Sequence, residues 1–168
     1  MAWVTDSPNW MNNRSTSLEY RFLSSMQGGL GIGANLNKWA PEDFGVAKTM
    51  IAQYKQLRST VQEGALYRLV SPEHGSEYSV TESLSKDGRE AAIFAFLHSS
   101  QLGDSYPRLY PRGLDEASKY SIQAIVGKLD SRIPKQASGD YWMHHGIEIS
   151  LQGDYQATLL TLEKEGMK

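Results

Sequence analysis

The sequence predicts an α+β chain in which one or two β/α units lead into an antiparallel β-sandwich, with the boundary near residue 64. Three observations predict it. Apolar residues recur at three- and four-residue spacing from Phe44 to Val61, the period of one helix face. After Gly64 the period falls to two, in short alternating runs separated by turn residues, the pattern of a sandwich. Ahead of the helix, Trp3-Val4-Thr5 favours extended backbone, and Ser7-Pro8-Asn9 stops it, because proline fixes φ and carries no N–H donor.

Asn9 to Ser17 is a polar insertion interrupted by Trp10 and Met11, with Arg14 its only charge. Leu18 to Met26 alternates weakly and fits either a short strand or a short helix. Gly29 to Leu36 reads as a second, glycine-rich strand. The helix follows. Pro41 takes the first helical position, where its missing donor costs nothing, and Glu42 and Asp43 lie in the positive first turn. Phe44, Ala47, Met50, Ile51, Tyr54, Leu57 and Val61 form its apolar stripe, Lys48, Lys55 and Arg58 lie off it, and Gly64 terminates it. Leu66 to Val70 is a strand ended by Ser71-Pro72. Glu77 to Leu84 passes through Lys86-Asp87-Gly88, a hairpin signal, into Ala91 to Leu97. Tyr120, Ile122, Ala124 and Val126 alternate cleanly. Gly146 to Leu151 is read as a strand, followed by the turn Gln152-Gly153-Asp154 and a last strand over Tyr155 to Leu162. No internal repeat is visible.

The chain has 168 residues, 40% of them hydrophobic and 21% charged, which suits one domain or a small domain plus part of another. With 17 basic against 19 acidic side chains, there is no electrostatic reason to expect nucleic acid or an anionic membrane as partner. No apolar run approaches the roughly 20 residues of a membrane helix. The absence of cysteine excludes disulfides and thiolate metal sites and fits a cytoplasmic location. Met1-Ala2 runs straight into a strand with no polar leader, so the chain is expected to continue a longer polypeptide.

Asp6 is the candidate catalytic group. It sits where an apolar strand gives way to a polar loop, at the carboxyl end, the end at which (β/α)8 barrels place their chemistry; a plain turn aspartate is the other reading. Gly29-Leu30-Gly31-Ile32-Gly33-Ala34 contains G-x-G-x-x-A, but no helix opens directly on it, so a dinucleotide site is not expected. Its glycines instead let the backbone pass close to a pocket or to neighbouring side chains. His144 and His145, read as strand residues, point to opposite faces, and His74 and His98 fall in different segments without carboxylates at ligand spacing. No metal and no cofactor is expected. Ser24-Ser25 and Ser99-Ser100 lack a local His-Asp arrangement. Tyr141-Trp142, Tyr106 and Tyr110 read as core or cross-strand aromatics, with a sugar-stacking face as the alternative.

Trp3-Val4-Thr5-Asp6-Ser7-Pro8-Asn9-Trp10, Leu18-Glu19-Tyr20-Arg21-Phe22-Leu23-Ser24-Ser25-Met26 and Gly29-Leu30-Gly31-Ile32-Gly33-Ala34-Asn35-Leu36, with Ala65-Leu66-Tyr67-Arg68-Leu69-Val70-Ser71-Pro72, resemble the carboxyl-terminal part of family 36 glycoside hydrolases, the α-galactosidases or melibiases. Arg112-Gly113-Leu114-Asp115 and Gly146-Ile147-Glu148 running into Gly153-Asp154-Tyr155 extend the resemblance. It implies the terminal strands and helix of a (β/α)8 barrel over residues 1–64 and the antiparallel sandwich over 65–168. It implies an enzyme that retains configuration and hydrolyses terminal α-galactosides such as melibiose and raffinose, homo-oligomeric when intact. Asp6 matches the family's general acid/base, the first aspartate of a Ser-Asp-Asp/Asn-Thr-Asp type segment, although Thr5, Ser7, Pro8 and Asn9 depart from the commoner neighbours. Trp10, just past Asp6, is the candidate substrate contact; the other reading makes it a lid over the barrel rim. The family's nucleophile lies in a Lys-Trp-Asp segment on an earlier strand. Here Lys38-Trp39 precedes Ala40 and follows Asp6, so the chain alone is expected to be inactive and to need the missing amino-terminal part as partner. The alternative class is a non-catalytic sandwich that binds carbohydrate or protein, with residues 1–63 as a docking segment.

Overall fold

The computed structural model describes residues 2–100, 103 and 106–166, without the side chain of His74; Met1 and the His74 side chain, weighed above, lie outside the described residues. β1 (Ala2–Val4) leads through the polar loop to α1 (Leu18–Met26) and β2 (Leu30–Ile32). The undecided segment is thus a helix. Ser17 caps it, its Oγ accepting from the Tyr20 N–H at 3.1 Å, and Leu18, Phe22, Leu23 and Met26 form its buried face. β1 and β2 pair in parallel, with Trp3 opposite Gly31.

α2 (Pro41–Glu63) starts and stops where expected. The Asp43 carboxylate accepts from the Ala40 N–H at 2.9 Å, satisfying an orphan donor at the positive end of the helix. Ala47, Met50, Tyr54 and Leu57 are buried, whereas Phe44 is 48% exposed, so the stripe begins one turn later than the spacing suggests.

The second part is built on a six-stranded, wholly antiparallel sheet in the order β3 (Ala65–Val70), β4 (Tyr78–Leu84), β5 (Glu90–Leu97), β10 (Gln156–Lys164), β7 (Lys119–Val126), β8 (Gln136–Ser138). The second layer of the expected sandwich is smaller than a sheet. It is a ribbon of β6 (Arg108–Leu109) and β9 (Ile147–Glu148), joined by α3 (Gly139–His144) and loops. The strand read over Gly146–Leu151 shortens to two residues because its neighbour β6 offers only two to pair with. α3 replaces the extended backbone read at His144. Ser138 caps it, accepting from the Tyr141 N–H at 3.1 Å.

Both faces of the large sheet are covered. Val80, Ile93, Tyr120, Leu160 and Leu162 point toward the ribbon, where Leu109, Trp142 and Ile147 close the core. Ala92, Phe94, Phe96 and Leu159 point the other way, onto Val4, Phe22, Leu23, Met26 and Met50. The α2 stripe finds its partners on this sheet and on α1.

Candidate active-site edge

Three elements meet around Asp6. β1 ends at Val4, whose side chain is fully buried beneath α1, and alternation sends Trp3 and Thr5 to the open side. Asp6 follows, half-buried. One of its carboxylate oxygens accepts from the Asn35 N–H at 2.9 Å, which ties the end of β1 to the loop after β2. Gly33 N donates to Val4 O at 3.0 Å and extends that tie. Among the described residues no ion pair within 4.0 Å engages Asp6.

Arg21, on α1, is the member that sequence reasoning missed. Its guanidinium donates to the Thr5 carbonyl and to Ser17 O at 3.3 Å, bridging the two ends of the intervening loop beside Asp6. Burial lowers the Arg21 pKa, and the carboxylates of Asp43, Asp6 and Glu19 oppose that. A lone arginine on an undecided segment gave no signal for this role.

Gly31 and Gly33 are explained by Trp3. A Cβ on Gly31 would lie 2.9 Å from the Trp3 ring, and one on Gly33 3.4 Å from it. The glycines make room for an indole on the open face, which corresponds to the bland reading of the glycine-rich run. The Ser7–Pro8 peptide is cis. Ser7 Oγ accepts from the Thr16 N–H at 3.2 Å, closing the base of the loop. Trp10 sits at its tip, 88% exposed, beside Met11 at 75%. The base of the loop is thus closed while the indole faces solvent.

The remaining candidates separate from this edge. Trp142 is fully buried, its indole N–H donating to Tyr120 O at 3.3 Å, so it serves the core. Tyr141 stacks on His145 at 4.5 Å and lines a cleft of about 110 Å³ with Arg108, Arg132 and Glu148. Tyr106 and Tyr110 are exposed. His144 pairs with Asp140 one turn earlier at 2.9 Å, and His98 with Glu77 at 3.5 Å. Among the described residues no group of three or more metal-ligating side chains converges.

What the arrangement offers chemically is one positioned carboxylate on an open, partly aromatic face. Comparison with known proteins places the chain in a family. Residues 78–162, from β4 to near the end of β10, match the model of the glycosyl hydrolase family 36 C-terminal domain. Alpha-galactosidase 2 of Hypocrea jecorina is 28% identical over 165 residues, covering 98% of this chain but 21% of its own length. Alpha-galactosidase AgaA of Geobacillus stearothermophilus is 34% identical over 126 residues, 74% of this chain and 17% of that one. The crystal structure of the latter superposes with a TM-score of 0.86 at 25% identity, over 98% of this chain and 22% of that chain. The α-galactosidase of Lactobacillus brevis gives 0.86 at 26% identity, over 99% and 22%. The chain spans about a fifth of the length of these relatives. A match over half its residues, with the same fold in solved relatives, makes this chain a member of glycoside hydrolase family 36, to which it contributes the carboxyl-terminal domain.

Proposed function

We propose that this chain is the carboxyl-terminal portion of a retaining α-galactosidase, in which residues 1–64 supply the last strands and helix of the catalytic barrel and Asp6 is the general acid/base. The observation that carries the reading is Asp6 at the carboxyl end of a parallel strand, fixed by Asn35 N–H and the Arg21-clamped Thr5 carbonyl. Alignment with α-galactosidases over nearly the whole chain supports the substrate class, as does a solved variant of the Geobacillus enzyme in complex with raffinose.

The chemistry needs a second group. In a retaining glycosidase two carboxyls stand about 5–5.5 Å apart; one attacks the anomeric carbon, and the other protonates the departing oxygen and then deprotonates water. Asp6 has the second role. The first belongs to a carboxylate on a strand upstream of this chain, which would pack on the open side of β1. Trp3, Leu36 and Phe44, all at least 45% exposed, are the apolar surface that such a partner covers.

Two measurements test this. The purified chain releases no nitrophenol from p-nitrophenyl α-galactoside; release that disappears in Asp6→Asn overturns the division of labour. In the intact enzyme, Asp6→Asn lowers kcat/KM on raffinose by about 10²–10⁴-fold. An activated aryl galactoside, whose leaving group needs no proton, loses far less in the glycosylation step, and azide restores turnover because it needs no general base. Equal losses on both substrates, without azide rescue, would remove Asp6 from this role.

A further inference from the structure

Arg14 and Tyr155 meet across the two parts of the molecule: the guanidinium carbon lies 5.0 Å from the centre of the tyrosine ring. Each partner is held there by its own surroundings. Tyr155 has φ +51°, a left-handed conformation that residues bearing a side chain avoid. The Tyr155 N–H donates to His98 O at 3.3 Å, and the Asp154 carboxylate beside it accepts from the Ser100 N–H at 2.9 Å. The turn before β10 is thus bound to the end of β5 and to the residues just after it. Tyr20 and His98 pack against the Tyr155 ring in near-perpendicular, edge-to-face pairs, with ring centres 6.2 and 5.3 Å away.

On the other side, the Arg14 carbonyl accepts from the Asn9 N–H at 2.9 Å, and Asn9 O accepts from the Asn13 N–H at 2.7 Å. These bonds close a tight loop over residues 9–14, and Trp10 is on it. Fixing Arg14 therefore fixes one end of the loop that carries Trp10. An unusual backbone conformation maintained at an inter-element contact points to a role for the contact.

We propose that the Arg14–Tyr155 contact is a positioning device by which the carboxyl-terminal sheet holds the Trp10 loop as the leaving-group lip of the active site. The inference rests on the assignment of Asp6: a general acid touches the glycosidic oxygen, so the loop that follows it directly borders the sugar being expelled. Arg14 and Tyr155 are positioning residues, and neither touches the reacting atoms.

The loop itself is tested in the purified chain by tryptic cleavage after Arg14, at a temperature where the fold is intact by thermal melt. Loss of an exposed cation–π contact corresponds to about a two- to fivefold change in the open population. Tyr155→Ala is expected to speed cleavage after Arg14 by about that factor, and Tyr155→Phe, which keeps the ring, to leave it unchanged. The lip is tested in the intact enzyme. Arg14→Met raises KM for raffinose by about two- to fivefold, with kcat little altered and p-nitrophenyl α-galactoside little affected, because the aryl group needs no sugar-binding lip. Unchanged cleavage in Tyr155→Ala overturns the pin. Faster cleavage with an unchanged raffinose KM overturns the lip. Full raffinose turnover in Asp6→Asn overturns instead the assignment on which both rest, so the failures are distinguishable.

Discussion

Glu82 is the residue whose setting departs furthest from what its type suggests. It lies on β4 between Val80 and Leu84, on the face that turns toward the ribbon, with no exposed surface. One carboxylate oxygen accepts from the Arg112 N–H at 2.8 Å, while among the described residues the other has no hydrogen-bond partner. Burial pushes its pKa up from 4.5 to about 7, against the Arg112 hydrogen bond and charge, which lower it. A carboxyl that holds its proton more tightly folded than unfolded makes the fold most stable below the unfolded value. Stability then falls as pH rises from about 4.5 to about 7 and is flat above, with a total change of about 3 kcal/mol. Glu82→Gln keeps an acceptor for Arg112 and removes the ionisation. Its thermal midpoint is expected to match the parent near pH 5 and exceed it at pH 8; parallel pH profiles for the two proteins would show that Glu82 does not titrate in this range. Asp115 runs in the opposite sense: a hydrogen bond from Lys164, with help from Ser118 and the Ala117 N–H, holds its pKa near 2. The stability it lends is present above about pH 4 and is lost as pH falls through 2.

At the scale of elements, the junction from α2 to β3 is where local signals and packing coincide. Gly64 ends the helix at φ −77°, an angle any residue adopts, so its glycine is not there for conformational freedom. It is there for space. A Cβ at this position would lie 2.2 Å from the Leu84 carbonyl oxygen and 2.4 Å from that of Thr60, and both are backbone atoms that cannot rotate away. Thr60 meanwhile donates to the Glu90 carboxylate, locking the last helical turn to the start of β5. Gly64→Ala is expected to cost about 3 kcal/mol, read as a lower urea midpoint. Gly45, exposed in the same helix with nothing near its missing Cβ, supplies the control. Gly45→Ala should stabilise by about 0.5–1 kcal/mol. A loss in both variants would mean that the helix tolerates no added volume on either side.

For the whole molecule, the large sheet is the shared wall between two cores. Residues 65–168 look self-sufficient by period alone, yet Ala92, Phe94, Phe96 and Leu159 are buried only because α1, α2 and Val4 cover them. Removing residues 1–64 would bare that apolar face, and contiguous patches of this kind drive association. The truncated chain is therefore expected to bind anilinonaphthalene sulfonate and to self-associate in light scattering. A monomeric, dye-silent product with an undiminished melt would show that the helices contribute little to the sheet. The same geometry gives residues 1–64 partners of their own on that sheet.

Much of this was legible in the chain, because caps, turns and periods are local. Pro41 and Gly64 bracket α2, Lys86-Asp87-Gly88 turns β4 into β5, and the strand-to-loop change locates Asp6, which only the family resemblance singles out as the candidate acid. Even the double coverage of the sheet has a trace in Glu90-Ala91-Ala92-Ile93-Phe94-Ala95-Phe96-Leu97, too continuously apolar for a strand wetted on one side. The short elements were not legible: α1 and α3 span too few residues for a helical period to separate from alternation, and the strand at Ile147 is as long as its partner allows. Nor could sequence show Arg21 on Thr5, Arg14 on Tyr155, or Glu82 stranded among apolar neighbours. Those contacts join residues far apart along the chain. Their partners are chosen by how a twisted sheet and two helices stack, which no local preference encodes.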